Sequence, residues 1–313
     1  MDNYQKRAWY QVKPGLVDQA SPFDFKLVSL KSVGYIFILT AIIGPFLINI
    51  LLNYLFDHTT TAQLGALILS WVISGVGSYF VFSRTNDKMF RSGAIAFYLF
   101  YFVPAIVTLI FSLIIGSFLN NLSTEIKGLI NIIVGMIGNA IAIGLTYYFC
   151  PQLFKKIKLT FKKDYWRVLI IVPIAIIAAF ALNYLFGFIQ GKITGGTSNN
   201  QESLVNGIDK WWYALALAIY TILLAPVIEE FACRHGIFSL VGDRWVALAC
   251  STIYFAGMHV STGGDWEHII GYLGGALALG SLFMITWGNV TYTILTHAGM
   301  NLISFILIVN HVN

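Results

Sequence analysis

This 313-residue chain has 14 Asp and Glu residues. Twelve of them fall in tails, loops or the ends of apolar runs. The other two, Glu229 and Glu230, stand side by side inside the apolar segment APVIEEFACRHGIF. A charge inside such a run is costly and marks a functional site by default. Arg234 follows Glu230 by four residues, so on a helix the two share a face and can pair. Glu229 points about 100° away. The simplest division of labour has Arg234 holding Glu230 ionised in a structural role, which leaves Glu229 free to act as a base.

Two further apolar segments supply partners. Phe255-Ala-Gly-Met-His259 places an imidazole in one, and His297-Ala-Gly-Met-Asn301 places an imidazole and an amide at i, i+4 in the last. A carboxylate beside imidazoles in a dry cavity can deprotonate a water. A histidine and an Asn amide can donate hydrogen bonds to a developing oxyanion. Together these groups suffice to hydrolyse an amide without a covalent intermediate. Glu229, His259 and His297 are also the ligand types of a catalytic zinc, with water in the fourth position. No HExxH is present, so Zn2+ or another divalent metal would have to be assembled from three separate helices. On the carboxylate pair alone, a transporter or channel is an equal reading, with Glu229, His259 and His297 as a proton or cation path.

The elements that must position these groups follow from composition. Hydrophobic residues make up 58% of the chain and charged residues 11%, with a mean hydropathy of +0.76. A soluble domain carries about 25% charged residues, so soluble globules are excluded, and disorder fails for the opposite reason. The expected fold is an all-α polytopic transmembrane helix bundle of about eight or nine membrane helices. A crossing needs about 20 mostly apolar residues. Candidates run over 33–56, 62–82, 93–118, 128–149, 167–189, 211–241, 244–260, 268–287 and 289–310. They divide the chain into a cytoplasmic segment 1–32, N-terminal helices 33–189 of unassigned role, a polar loop 190–210 and a catalytic core 211–313. The first 30 residues hold no apolar stretch of the signal-peptide kind, so the first span is expected to be the anchor. Cys150, Cys233 and Cys250 form neither a metal nor a redox spacing.

Fourteen of the 19 Lys and Arg residues precede the first span or fall in the second and fourth connections. The alternate connections hold only Lys127, Lys192 and Lys210. By the positive-inside rule the N-terminus is cytoplasmic. The net charge of +5 is then a topology signal, and no nucleic-acid partner is expected. Helix rise puts Glu229 roughly 18 Å, His259 roughly 22 Å and His297 roughly 12 Å from the cytoplasmic ends of their helices. At those depths the three side chains can meet in the inner-to-middle bilayer.

The ordered set EExxxR (Glu229, Glu230, Arg234), FxxxH (Phe255, His259) and HxxxN (His297, Asn301) resembles the CPBP intramembrane protease family. That family contains the type II CAAX prenyl endopeptidases and the bacterial Abi proteins linked to bacteriocin self-immunity. The likeness covers roughly residues 211–310. It implies that Glu229 activates water, that His259 helps position it, and that His297 and Asn301 stabilise the oxyanion. Glu230 and Arg234 would support the site. The motif does not choose between a metal and a metal-free glutamate mechanism. The expected activity is endopeptidase cleavage of a membrane-associated or lipidated protein or peptide, near the cytoplasmic half of the bilayer. The Ile, Asn, Phe and Lys bias points to a low-GC bacterial plasma membrane, where peptide pheromones or bacteriocin precursors suit better than prenylated proteins. A catalytically silent immunity scaffold stays open as a further alternative.

The remaining signals are weaker. His235 reads as a cap or headgroup contact, and His58, His268 and His311 as interfacial. Asp265 and Glu267 read as solvated loop acids, and Gly271–Gly275 as a helix-packing motif. Trp211, Trp212 and Tyr213 read as an aromatic anchor, and the Lys155–Lys163 run as a topology determinant touching anionic lipid.

Overall fold

The computed structural model describes residues 27–312 apart from 57–58, 120, 197, 206 and 262. His58 and the charges at Lys6, Arg7, Lys13 and Lys26 lie outside the described residues. Every regular element among the described residues is helical. Leaving aside the short turns Lys88–Arg91 and Trp266–His268, in chain order these are α1 (Leu30–Leu55), α2 (Thr60–Thr85), α3 (Ala96–Leu119), α4 (Thr124–Phe149), α5 (Pro151–Lys163) and α6 (Tyr165–Ile193). There follow a short α7 (Asn199–Val205), then α8 (Trp211–Val241), α9 (Arg244–Ser261), α10 (Ile269–Ile285) and α11 (Val290–Val312). Eight of these helices are long and apolar enough to cross a membrane, so the protein is a multi-pass membrane protein. The ninth expected crossing, α9, is not among the eight. Its 18 residues include Arg244, Ser251, Thr252 and His259, which dilute its hydropathy. At about 1.5 Å per residue it still runs about 27 Å.

Two connections differ from the sequence expectation. Residues 151–163 form α5, an amphipathic helix opened by Pro151. Pro suits that position because the first-turn N–H is unpaired in any helix. Phe154 turns inward, edge-on to Phe231 of α8 at 5.2 Å, while Lys155, Lys156, Lys158, Lys162 and Lys163 are carried along the same helix. Residues 190–210 are not a plain loop, since they complete α6 and contain α7.

Side-chain bonds tie the helix ends into two faces. On one, Asn289 Nδ2 donates to Thr160 Oγ1 at 2.9 Å, and His235 Nε2 lies 2.6 Å from the Ser92 carbonyl. This face also carries Arg84, Lys88, Arg91 and α5, and is called the basic face below. On the other, Trp266 Nε1 donates to Asn49 Oδ1 at 2.7 Å, Tyr54 reaches Glu267 at 3.2 Å, and the Asn199 N–H donates to Asp265 at 2.8 Å. Asp265 is therefore buried and bonded rather than a solvated loop acid, and Glu267 has a partner. His235 is a buried clamp rather than a headgroup contact.

Glycines set the closest approaches. Gly128 and Gly135, two turns apart on α4, receive the rings of Tyr213 and Tyr220, equally spaced on α8. This seats an N-terminal helix against the chemistry-bearing one. A Cβ at Gly274 of α10 would lie 2.6 Å from the Leu182 carbonyl of α6, so these two backbones touch. Gly144, by contrast, has open space in front of it. We expect Gly274→Val to lower the detergent-solubilised midpoint of thermal unfolding by an overpacking cost of about 1–3 kcal/mol. Gly144→Val should shift it far less, and equal shifts would refute the α6–α10 contact.

Candidate active site

The site begins with a distortion of α8. The helix widens into π turns over Ile219–Leu224 and Phe231–Gly236, on either side of Ala225–Glu230. Pro226 explains the first, because it has no N–H for the preceding turn and its ring displaces the carbonyl behind it. Such bulges are frequent at functional sites. In an i→i+5 turn the Thr221 carbonyl would look to residue 226, where proline offers no donor. Asn301 of α11 supplies one, donating through Nδ2 at 2.8 Å.

Past the proline, the two carboxylates separate. Glu230 and Arg234 are both fully buried, with Arg234 Nε 3.2 Å from Glu230 Oε2. Arg234 also donates through Nη2 to the Ala276 carbonyl of α10 at 3.3 Å, and its guanidinium lies over the Phe255 ring at 4.4 Å. Glu230 Oε1 lies 3.0 Å from His297 Nδ1, and Thr293, one turn before His297, is fully buried with its hydroxyl donating to the Val290 carbonyl at 3.1 Å. His297 Nε2 thereby faces Glu229, 3.8 Å from its Oε2. Glu229 is the partly exposed member of the pair and lines a cavity.

That cavity has a volume of about 650 Å³. Glu229, Phe255, His259, His297 and Asn301 all line it. Phe255 stands edge-on to both imidazoles, at 5.0 Å from His259 and 5.4 Å from His297. His259 lies flat against Tyr272 of α10 at 4.9 Å. Four of the six sequence candidates, Glu229, Glu230, Arg234 and His297, are thus in direct contact. Asn301 is held one helical turn along α11, and His259 lines the same cavity between the rings of Phe255 and Tyr272. Among the described residues no group of three or more His, Cys, Asp and Glu is arranged to hold a metal ion. The zinc set Glu229, His259 and His297 is not gathered at one point.

Tyr272, Thr293 and Thr221 did not stand out in the sequence. Tyr272 and Thr293 carry no charge and sit in apolar helices like many others. Thr221 contributes only its carbonyl, whose need for a donor follows from Pro226. His268, expected at an interface, lines the cavity rim.

Fold and site together define a multi-pass membrane protein with a buried carboxylate–arginine–histidine cluster at the floor of a cavity. The family model for type II CAAX prenyl endopeptidase Rce1-like proteins matches residues 210–303, and the chain belongs to this CAAX protease family. An uncharacterized protein of Mycoplasma capricolum is 30% identical, over 95% of this chain and 93% of that protein. The UPF0177 protein YajF of Lactococcus lactis is 32% identical over 36% of this chain and 55% of its own length. No solved structure matches.

Removing one partner of a buried pair leaves an uncompensated charge, at a cost of about 3–5 kcal/mol. Arg234→Met should therefore cost the folded protein that much in thermal or denaturant unfolding. The double variant Glu230→Gln with Arg234→Met should recover part of the loss. A double variant no more stable than Arg234→Met would show that the two residues do not act as a pair.

Proposed function

We propose that this protein is an intramembrane endopeptidase that hydrolyses a peptide bond of a membrane-associated peptide or protein, with Glu229 activating the water. One observation carries the reading. Of two adjacent buried carboxylates, Glu230 is bound by Arg234 and His297, while Glu229 alone opens onto the cavity.

The roles follow from the groups at hand. Water in the cavity gives its proton to Glu229, and its oxygen attacks the scissile carbonyl carbon. The carbonyl oxygen becomes the oxyanion of a tetrahedral intermediate. Asn has two amide protons, and the Thr221 carbonyl takes only one from Asn301, leaving the second for that oxygen. His297 donates alongside it from Nε2 when doubly protonated, with Nδ1 held by Glu230. Glu229 then passes its proton to the amide nitrogen, the C–N bond breaks, and a carboxylic acid and an amine leave. His259 lines the same cavity and helps hold the water. The family relationship supports peptide hydrolysis in general, and the burial of the cluster supplies the low-dielectric surroundings in which such donors act strongly.

The test is cleavage of quenched membrane peptides by purified protein in detergent. Glu229→Gln should abolish turnover while leaving the unfolding midpoint near wild type. Asn301→Ala should lower kcat by about 10²–10³, the usual cost of one oxyanion donor. Cleavage undiminished in Glu229→Gln would remove the general-base role. Glu229-dependent ion flux without cleavage would replace the peptidase with a transporter.

A further inference from the structure

The cavity is partly open, and where its mouth lies in the bundle bears on which substrate can enter. Its deep end is formed by Glu229, Phe255, Leu279 and His297. From there its walls run toward the face opposite the basic one. They take the last turns of α6, the connection around α7, the first turns of α10 and the C-terminal half of α11. No lining residue comes from α5 or from the connections of the basic face. On α6, Gly187 and Gly191 line the same wall, and a Cβ built at either meets nothing within 4 Å. The void therefore begins directly at the α6 backbone.

The mouth has a consistent chemistry. Ser198, Asn200, Gln201 and Tyr272 supply amides and hydroxyls beside the rim imidazole of His268, Asn183 adds an amide deeper in near Gly275, and the cavity's lining includes no Lys, Arg or Asp. Glu229, at the floor, is its one Glu. On the same side of the site, Leu217, Phe305 and Ile308 add apolar wall. Neutral hydrogen-bonding groups beside apolar walls suit the main-chain N–H and C=O groups of an extended, uncharged peptide. A charged side chain would be stranded there.

Resting on the endopeptidase reading above, we infer that the cavity is entered from the extracytoplasmic side, and that its substrate is an uncharged peptide segment presented at that leaflet. The side follows from charge. Lys and Arg concentrate in cytoplasmic connections, and here they concentrate on the face away from the mouth. This moves substrate entry to the side opposite the cytoplasmic half expected from helix depth. The depth of Glu229 and the direction of its access are separate properties, because the cavity reaches inward from the face opposite the basic one as far as Glu229 and Leu279.

Cysteine accessibility reads the side of entry without needing catalysis. In a background lacking Cys150, Cys233 and Cys250, an impermeant sulfonated maleimide is applied to intact cells expressing Gln201→Cys, Ser304→Cys or Lys158→Cys. Gln201→Cys at the rim and Ser304→Cys on the cavity wall should label. Lys158→Cys on α5 should label only after permeabilisation. Adding Gly187→Leu and Gly191→Leu fills the open wall, and should remove labelling of Ser304→Cys while sparing Gln201→Cys. The unfolding midpoint confirms that the plugged protein folds. Labelling of Gln201→Cys and Ser304→Cys only after permeabilisation overturns the inference. Unchanged Ser304→Cys labelling in the plugged protein shows that entry is elsewhere, with the same result. The substrate class is read with a quenched neutral peptide, which right-side-out membrane vesicles should cut and inverted ones should not. An analogue with Asp beside the scissile bond should lose kcat/KM, and equal cleavage of the two would overturn the substrate class. Cleavage in detergent combined with cytoplasmic labelling would leave the endopeptidase standing and sink only the side of entry. Outside labelling with no peptide cut under any condition would sink the endopeptidase alone.

Discussion

A fully buried Arg234 is the constraint to which the rest of the molecule answers. An unpaired guanidinium in the interior is prohibitively costly, so four neighbours are arranged around it: Glu230 at 3.2 Å, the Ala276 carbonyl at 3.3 Å, the Phe255 face at 4.4 Å, and through Glu230 the imidazole of His297. Those neighbours come from α8, α9, α10 and α11. One charge therefore fixes the mutual rotation of four helices, and with it the direction in which Glu229 and His297 Nε2 point. The supporting pair is best understood as the device that aims its neighbours.

The distortion of α8 does the complementary work. A regular helix satisfies its own backbone and offers no unpaired carbonyl to a neighbour. Pro226 and the wide turn before it leave the Thr221 carbonyl in need of a donor, and the Asn301 amide answers. In lipid an unsatisfied backbone group costs several kcal/mol, so this bond ties α11 to α8 at a defined height. The HxxxN pair then has both ends anchored, His297 on Glu230 and Asn301 on the backbone, and both residues line the cavity.

The N-terminal helices acquire a physical role from the same packing. The glycines of α4 accept Tyr213 and Tyr220, and α6 forms the cavity wall with Gly187 and Gly191 while its backbone touches Gly274. The helices outside the family-matched segment thus complete the enclosure of the site. This enclosure gives the Glu229 carboxylate and the Asn301 amide surroundings of low dielectric.

Much of this was legible in the chain itself. Composition alone requires helices that satisfy their backbones in lipid, because no other element built from such a sequence can do so. The spacing of Glu230 and Arg234 on one helix face, and of His297 and Asn301 on another, is a local property that 3.6 residues per turn settles. The sequence expectations for Asp265 and His235 are among those that fail, because they turn on contacts between distant segments: α7 docks on Asp265, and the Ser92 carbonyl lies beside His235. Which carboxylate is bound and which is open, why Asn301 meets Thr221, what Tyr272 does beside His259, and which face the cavity opens on depend on helix rotation and tilt. Those are decided by burying one charge and fitting glycines against rings and backbones. Such choices are made between segments far apart in sequence, and the spacing within any one segment does not contain them.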